Sequence, residues 1–233
     1  MKDLRITVIS DTHAKHWEMT EDLPGGDILL YAGDFMTSGY HITEVSDFCK
    51  WLTGLNYTHN VFIAGNHDRL FENSSNLAME IVNSYKWINY LQDDWLQIGE
   101  NFTYDIIKIY GSPWQPEFFN WAFNLPRQGQ ELKDRWDKIP NDTDILLTHG
   151  PGYGYLDVSS FGNKHVGCEL LIKRIKQIKP KIHVFGHIHS DYGYKFDGDT
   201  HYFNASALNE RYDYANKPMT FDWNPVTNDL NFV

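Results

Sequence analysis

His183-Val184-Phe185-Gly186-His187-Ile188-His189-Ser190-Asp191-Tyr192 decides how this chain is read. A short apolar run stops at a glycine, and two imidazoles follow on alternate residues. The same punctuation recurs upstream. Leu4-Arg5-Ile6-Thr7-Val8-Ile9 ends in Ser10-Asp11-Thr12-His13, and Asp27-Ile28-Leu29-Leu30-Tyr31-Ala32 ends in Gly33-Asp34. Asn60-Val61-Phe62-Ile63-Ala64 ends in Gly65-Asn66-His67-Asp68, and Asp144-Ile145-Leu146-Leu147 ends in Thr148-His149-Gly150. Short continuous apolar runs of this kind read as strands buried on both faces. In open α/β sheets the carboxyl ends of parallel strands line the ligand crevice. If these five are parallel, their tips meet in one place.

Between the runs the spacing predicts helices. Val45, Phe48, Trp51 and Leu52 fall three and four apart within 42–52. Further helices are expected over 76–85, 130–138 and 167–178, the last stopping before Pro180. Residues 87–111 differ. Apolar stretches at Ile88–Leu91, Trp95–Ile98 and Phe102–Tyr110 are broken by Asp93-Asp94 and Gly99-Glu100, a pattern expected of an antiparallel patch. The tail from Tyr192 to Val233 returns to strands, with a turn signal at Asp197-Gly198-Asp199. The order is βα in both flanks with antiparallel strands between and after. It predicts an α/β fold of two packed sheets with helices outside. The 233 residues fit one domain, 1–233, with no linker or internal repeat.

Composition bounds the function. A net charge of −11 opposes an extended nucleic-acid surface, which needs lysine and arginine in excess. No apolar run approaches the ~20 residues of a membrane span. The start, MKDLRITVIS, turns polar too soon for a signal peptide. The two cysteines, Cys49 and Cys168, have no CxxC spacing. A cytoplasmic protein with free core thiols is the expectation. The sequence leaves the oligomeric state open.

The strand tips are rich in imidazole and carboxylate and contain no cysteine, the donor chemistry of Mn, Fe or Zn. Bound cations also resolve how an acidic chain attracts an anion. At these residues the sequence resembles the calcineurin-like metallophosphoesterase superfamily. Its strand-end series stands here as Asp11-Thr12-His13, Gly33-Asp34, Gly65-Asn66-His67-Asp68, His149 and Gly186-His187-Ile188-His189. Gly111-Ser112-Pro113-Trp114-Gln115-Pro116, Thr148-His149-Gly150-Pro151 and Asn204-Ala205-Ser206 are similar to its metallophosphoesterase-domain-containing branch.

The resemblance implies a four-layer α/β/β/α sandwich of two mixed β-sheets flanked by helices, with a dinuclear metal centre. Asp11, His13 and His189 would hold one divalent ion, Asn66, His149 and His187 the other, and Asp34 would bridge them. His67 would act on the substrate. Asp68 beside it is a candidate to raise the basicity of the His67 ring, or else a helix-start carboxylate. Asn66, His67 and Asn204 are candidate substrate contacts.

The protein-phosphatase branch carries an aspartate where this chain has Thr37, so that branch does not fit. Some members of the metallophosphoesterase-domain-containing branch carry glycine at the position of His187. Its presence here implies two filled sites.

The implied activity is hydrolysis of a small phosphodiester, a cyclic nucleotide among the candidates. A monoesterase, a nucleotide pyrophosphatase or a nuclease on the same site is the alternative. A non-catalytic protein-binding scaffold is the rival of another class. Two cations can supply a nucleophile and offset developing charge, while His67 would protonate the leaving oxygen or stabilise the transition state as imidazolium.

Outside the motifs, His16, His183, Arg69 and Arg127 read as structural or surface residues, with a substrate contact the alternative for His16 and phosphate steering the alternative for the two arginines. The aromatic segment 113–121 reads as core packing or as a wall beside the metals.

Overall fold

The computed structural model describes residues 3–99 and 106–233. The chain first lays down β1 (Leu4–Ile9), β2 (Gly26–Tyr31), helix α1 (Ile42–Gly54), β3 (Tyr57–Phe62), α2 (Arg69–Asn73), α3 (Ser75–Asn83) and β4 (Ile88–Tyr90). These four strands are parallel neighbours, with Ile6 beside Ile28 and Leu30 beside Val61.

A second sheet begins with β5 (Asp94–Ile98) and β6 (Ile107–Ser112). A two-stranded ribbon of β7 (Gln115–Pro116) and β8 (Asn124–Leu125) follows. After α4 (Gln130–Asp137) come β9 (Ile145–Thr148) and a second ribbon, β10 (Val158–Ser159) with β11 (Lys164–His165). Helix α5 (Glu169–Ile178) leads into β12 (Ile182–Phe185), β13 (Gly193–Phe196) and β14 (His201–Asn204). Finally β15 (Met219–Trp223) and β16 (Leu230–Phe232) return to the first sheet. The sheet orders are β16-β15-β1-β2-β3-β4 and β13-β14-β12-β9-β6-β5. Both are mixed, because β15, β16, β13 and β5 run antiparallel to their neighbours.

The three stretches of 87–111 therefore do not form one antiparallel patch. β4 follows a crossover helix and pairs parallel with β3, as such connections require. The next two stretches form the antiparallel pair β5–β6 of the other sheet. Phe102 to residue 105, the start of the last stretch, lie outside the described residues.

Alternation along the strands explains the four layers. Ile6, Val8, Ile28 and Leu30 point between the sheets and meet Ile109, Ile145, Leu147 and Val184. Ile9, Leu29 and Tyr31 point outward onto Val45, Phe48, Trp51 and Leu52 of α1. On the far side Tyr110, Leu146 and Tyr202 pack under Leu132 and Trp136 of α4 and Leu171 and Ile175 of α5. With both faces of each sheet covered, the strands read as continuous apolar runs. Each buried aliphatic side chain contributes about 1.5–3 kcal/mol. Helix α5 ends at Lys179, whose left-handed φ of 49° stops the helix before Pro180.

The two sheets are stitched at one rim. The Ser10 amide donates to the Ala205 carbonyl (2.9 Å), and the Ala207 amide donates to that of Ser10 (2.9 Å). Ser10 thus bridges the end of β1 to the segment after β14. No helix among the described residues is long and apolar enough to cross a membrane.

Candidate metal centre

The five strand tips lie along this rim, and those of β1, β2 and β12 are held in unusual backbone conformations. Asp11, His13, Asp34 and His187 have φ of 54°, 42°, 59° and 69°. A side-chain-bearing residue there costs about 1–3 kcal/mol, so its surroundings must hold it. The Asp11 amide donates to the Gly33 carbonyl (3.0 Å), and that of His13 to the Asp34 carbonyl (3.1 Å). The Asp11 carboxylate accepts from the His187 amide (3.0 Å) and the Ser206 hydroxyl (2.9 Å). Two glycines permit the crowding. A Cβ on Gly186 would sit 2.0 Å from Asp11 Oδ2, and one on Gly65 would sit 2.3 Å from Asp34 Oδ1.

The imidazoles share one arrangement. His13, His149 and His189 each place Nδ1 against a backbone carbonyl, of Met36 (3.2 Å), Ala32 (2.9 Å) and Asn209 (3.1 Å). A carbonyl only accepts, so Nδ1 carries the hydrogen and Nε2 is left facing the rim. His189 Nε2 then lies 3.5 Å from both Asp11 Oδ1 and His13 Nε2. His149 Nε2 lies 2.9 Å from Asn66 Oδ1 and 3.4 Å from Asp34 Oδ2. Among the described residues, the donor atoms of Asp11, His13 and His189 lie within 4.8 Å of one another. So do those of Asp34, His149 and His187, and those of His13, Asp34 and His67. Asp34 is shared by the last two groups.

Burial opposes ionisation of Asp11 and Asp34, yet His189 beside the first and His149 beside the second hold both carboxyls well below the usual range. Burial would also lower His149, but Asp34 pushes it up to about 9. Burial takes His13 down to about 4 and His187 to about 3. With a cation taking the place of the proton on His149 and His189, the four imidazoles, two carboxylates and one amide oxygen form a donor set that fits divalent Mn, Fe or Zn.

His67 sits at the edge of this cluster, its ring 4.6 Å from that of His13 and stacked on Trp121 at 4.0 Å. Asp68 does not serve it. The buried Asp68 carboxylate accepts from the amides of Gly65 (2.7 Å), Asp34 (2.8 Å) and Met36 (2.9 Å), and it makes no side-chain cap to α2. It ties the loop after β2 to the loop after β3. Asn204 is likewise not at a substrate surface. It is fully buried, donating to the carbonyls of Ile188 (2.8 Å) and Leu156 (3.2 Å). His16 is bonded to Asp47 (3.1 Å) and packed on Trp51, away from the rim.

A cavity of about 550 Å³ opens beside the cluster, with Asp34, Asn66, His67, His187 and His189 at its metal-facing end. Phe118, Phe119, Phe161 and Tyr212 line its walls. The aromatic segment 113–121 thus divides. Phe118 and Phe119 face the cavity, Trp114 packs inward against Phe123, and Trp121 supports His67. Tyr212, edge-on to His13 at 4.8 Å, and Phe161, at the tip of the β10–β11 ribbon, carry no motif that would have marked them.

Comparison with known proteins agrees with this geometry. The family model for calcineurin-like phosphoesterases matches residues 4–191. The human metallophosphoesterase domain-containing protein 1 is 38% identical over 243 aligned residues, spanning 94% of this chain and 70% of that protein. The UPF0046 protein T07D4.2 of Caenorhabditis elegans is 38% identical, over 94% of this chain and 60% of that protein. The crystal structure of TT1561 from Thermus thermophilus superposes with a TM-score of 0.65 at 14% identity, covering 99% of this chain and 98% of that one. Its likeness lies in the fold. Five parallel strand tips converging on one donor cluster, and a family match running from the first strand through His189, make this chain a member of the calcineurin-like phosphoesterase family.

Proposed function

We propose that the chain is a phosphodiesterase whose substrate carries one phosphate and an uncharged, flat organic group. The observation that carries this reading is the character of the cavity next to the donor cluster. Its walls are aromatic. Among the described residues lining it, the one lysine or arginine is Arg127, whose guanidinium already donates to the Val166 and Gly167 carbonyls and to Glu169. Glu117 and Glu210 stand in the wall. A second phosphate would meet carboxylates and no free cation. That disfavours the nucleotide pyrophosphatase and nuclease readings, and it leaves a cyclic nucleotide or a similar small diester. The scaffold reading is disfavoured because every residue of the strand-end series and His67 are present together at the rim.

In this reading Asp11, His13 and His189 would hold one divalent ion, Asn66, His149 and His187 would hold the other, and Asp34 is the carboxylate available to both. When bound, the cations supply Lewis acidity and an activated water. The chain's own residues do the rest. Asp11 and Asp34 fix the charge balance, and the Nδ1–carbonyl bonds aim the imidazoles. His67, in its doubly protonated form, gives the Nε2 proton to the departing oxygen and is left as the neutral ring with its hydrogen on Nδ1, assistance worth typically 10²–10⁴-fold. The aromatic walls hold the leaving group and exclude water from it. The buried, unpaired Cys49 and Cys168 suit a reducing, cytoplasmic setting.

The test is activity of metal-stripped protein re-supplied with Mn, Zn, Ni or Mg in turn, against a panel of mono- and diesters and pyrophosphates. Diesters with an aromatic group should be turned over fastest. A preference for pyrophosphates, or no turnover with any metal, overturns the proposal.

A further inference from the structure

His67 is the proton donor of the reading above, and none of the rim carboxylates holds its distal nitrogen. Its Nδ1 instead faces the carbonyl oxygen of Thr37. A carbonyl only accepts, so Nδ1 carries the hydrogen and Nε2 is the nitrogen turned to the site. Thr37 is exposed and stands in the loop between β2 and α1. One carboxylate immobilises it. Glu44, in the first turn of α1, accepts from the Thr37 amide (3.0 Å) and from its hydroxyl (2.6 Å). The preceding residue is pinned by Asp68 through the Met36 amide (2.9 Å). The ring plane is set separately. Trp121 stacks on His67 with centroids 4.0 Å apart and planes 24° apart, and the Arg69 guanidinium lies 4.6 Å from the indole ring. Arg69 also donates to the Asn120 carbonyl, which ties the Trp121 loop to α2.

We infer that Glu44, acting through Thr37, and Trp121 are positioning residues that fix the tautomer and the direction of the His67 imidazole. Rotation of a histidine ring about χ2 meets only broad, shallow wells, so without these contacts the ring exchanges its two nitrogens. Neither residue lines the cavity, and neither belongs to the donor groups at the rim. Their effect therefore falls on turnover, not on substrate or metal affinity. The inference rests on the proton-transfer role proposed for His67.

The experiment compares Glu44→Ala, Glu44→Gln, Trp121→Ala and Trp121→Phe in the metal-loaded protein, alone and combined with His67→Ala. A misplaced catalytic group costs up to ~10²-fold, so the two alanine variants should lose roughly 5–50-fold in kcat with KM and metal content unchanged. Glutamine can still meet both Thr37 groups, and phenylalanine can still stack, so these variants should recover most of kcat. In the His67→Ala background the further losses should vanish, the signature of residues acting through one group. Long-range ¹⁵N–¹H correlation of the zinc-loaded protein, at a pH where the His67 ring is neutral, should show its hydrogen on Nδ1 in the wild type and Glu44→Gln, and a tautomer mixture in Glu44→Ala. Full kcat in both alanine variants, or the same losses without His67, overturns the inference. If the wild type hydrolyses no phosphoester, the proposed function fails. The ring tautomer still decides the positioning claim, and an unchanged tautomer in Glu44→Ala sinks it.

Discussion

His67 and Asp68 are adjacent in the chain and opposite in burden. Asp68 accepts from three backbone amides in a fully buried setting, so Asp68→Ala leaves three donors without an acceptor. Each such group costs about 1–3 kcal/mol. The variant should therefore lose at least ~3 kcal/mol of stability, seen as a lower denaturant midpoint, and should bind metal poorly because Asp34 loses its anchor. His67→Ala should do the reverse. Its metal content and midpoint stay near wild type while kcat falls by roughly 10²–10⁴. Normal turnover in metal-replete His67→Ala removes the ring from the mechanism. Gly186→Ala tests the crowding at the rim. Its new methyl would meet Asp11 Oδ2 at 2.0 Å and Ser10 Oγ at 2.3 Å, so the carboxylate must move. Metal analysis should show weaker retention at the group of Asp11, His13 and His189.

Strand β12 shows at the scale of an element what a sequence reveals and what it withholds. Its apolar run and its tip are local signals, because a strand buried on both faces must be apolar throughout and must end where polar groups begin. The same logic made β1, β2, β3 and β9 legible, along with the donors at their ends. Pairing direction is not local. β4 carries the same kind of apolar residues as β5, yet they belong to different sheets. Nor does a motif tell a carboxylate that serves amides from one that serves chemistry, which is why Asp68 and Asn204 needed coordinates. The cavity walls come from Phe118, Phe161 and Tyr212, three loops whose meeting no spacing encodes.

His183, inside β12, gives this element a pH signature. It is fully buried, and its Nε2 lies 2.8 Å from the hydroxyl of Thr148, which itself donates to Gly150. Nε2 therefore donates. Nδ1 has no partner among the described residues, and burial takes the imidazole down to about 3. The fold binds it neutral, whereas the unfolded chain protonates it near pH ~6.5. Its contribution is complete above pH ~6.5 and is lost as pH falls from there toward 3, at up to about 1.4 kcal/mol per pH unit. His183→Gln keeps a donor for Thr148 and cannot titrate. Urea midpoints at pH 7, 6 and 5 should fall less steeply for this variant than for the wild type, and equal slopes would exclude the ring as a source of acid sensitivity.

The molecule as a whole carries a net charge of −11 and buries Asp11 and Asp34 where its two sheets meet. Those carboxylates lean on the imidazoles of His189 and His149 when no cation is near. Cation binding should therefore strengthen the joint between the sheets as well as equip the site. Ligands that bind only the folded state stabilise it by about 4 kcal/mol at a thousand times their dissociation constant. In a chain of 150–250 residues each kcal/mol shifts the melting temperature by roughly 2–4 °C. Stripping with a chelator should lower the melting temperature by on the order of 10 °C, and Mn or Zn should restore it where Mg restores less. Asp34→Asn is the control. Asp34 reaches both His13 and His149, so losing its charge should erase most of the metal-dependent increment, and it should also lower the melting temperature of the stripped protein because His149 loses its charge partner. A full increment in Asp34→Asn would place the stabilising cation away from the rim, and the shared carboxylate would then have no role in holding the sheets together.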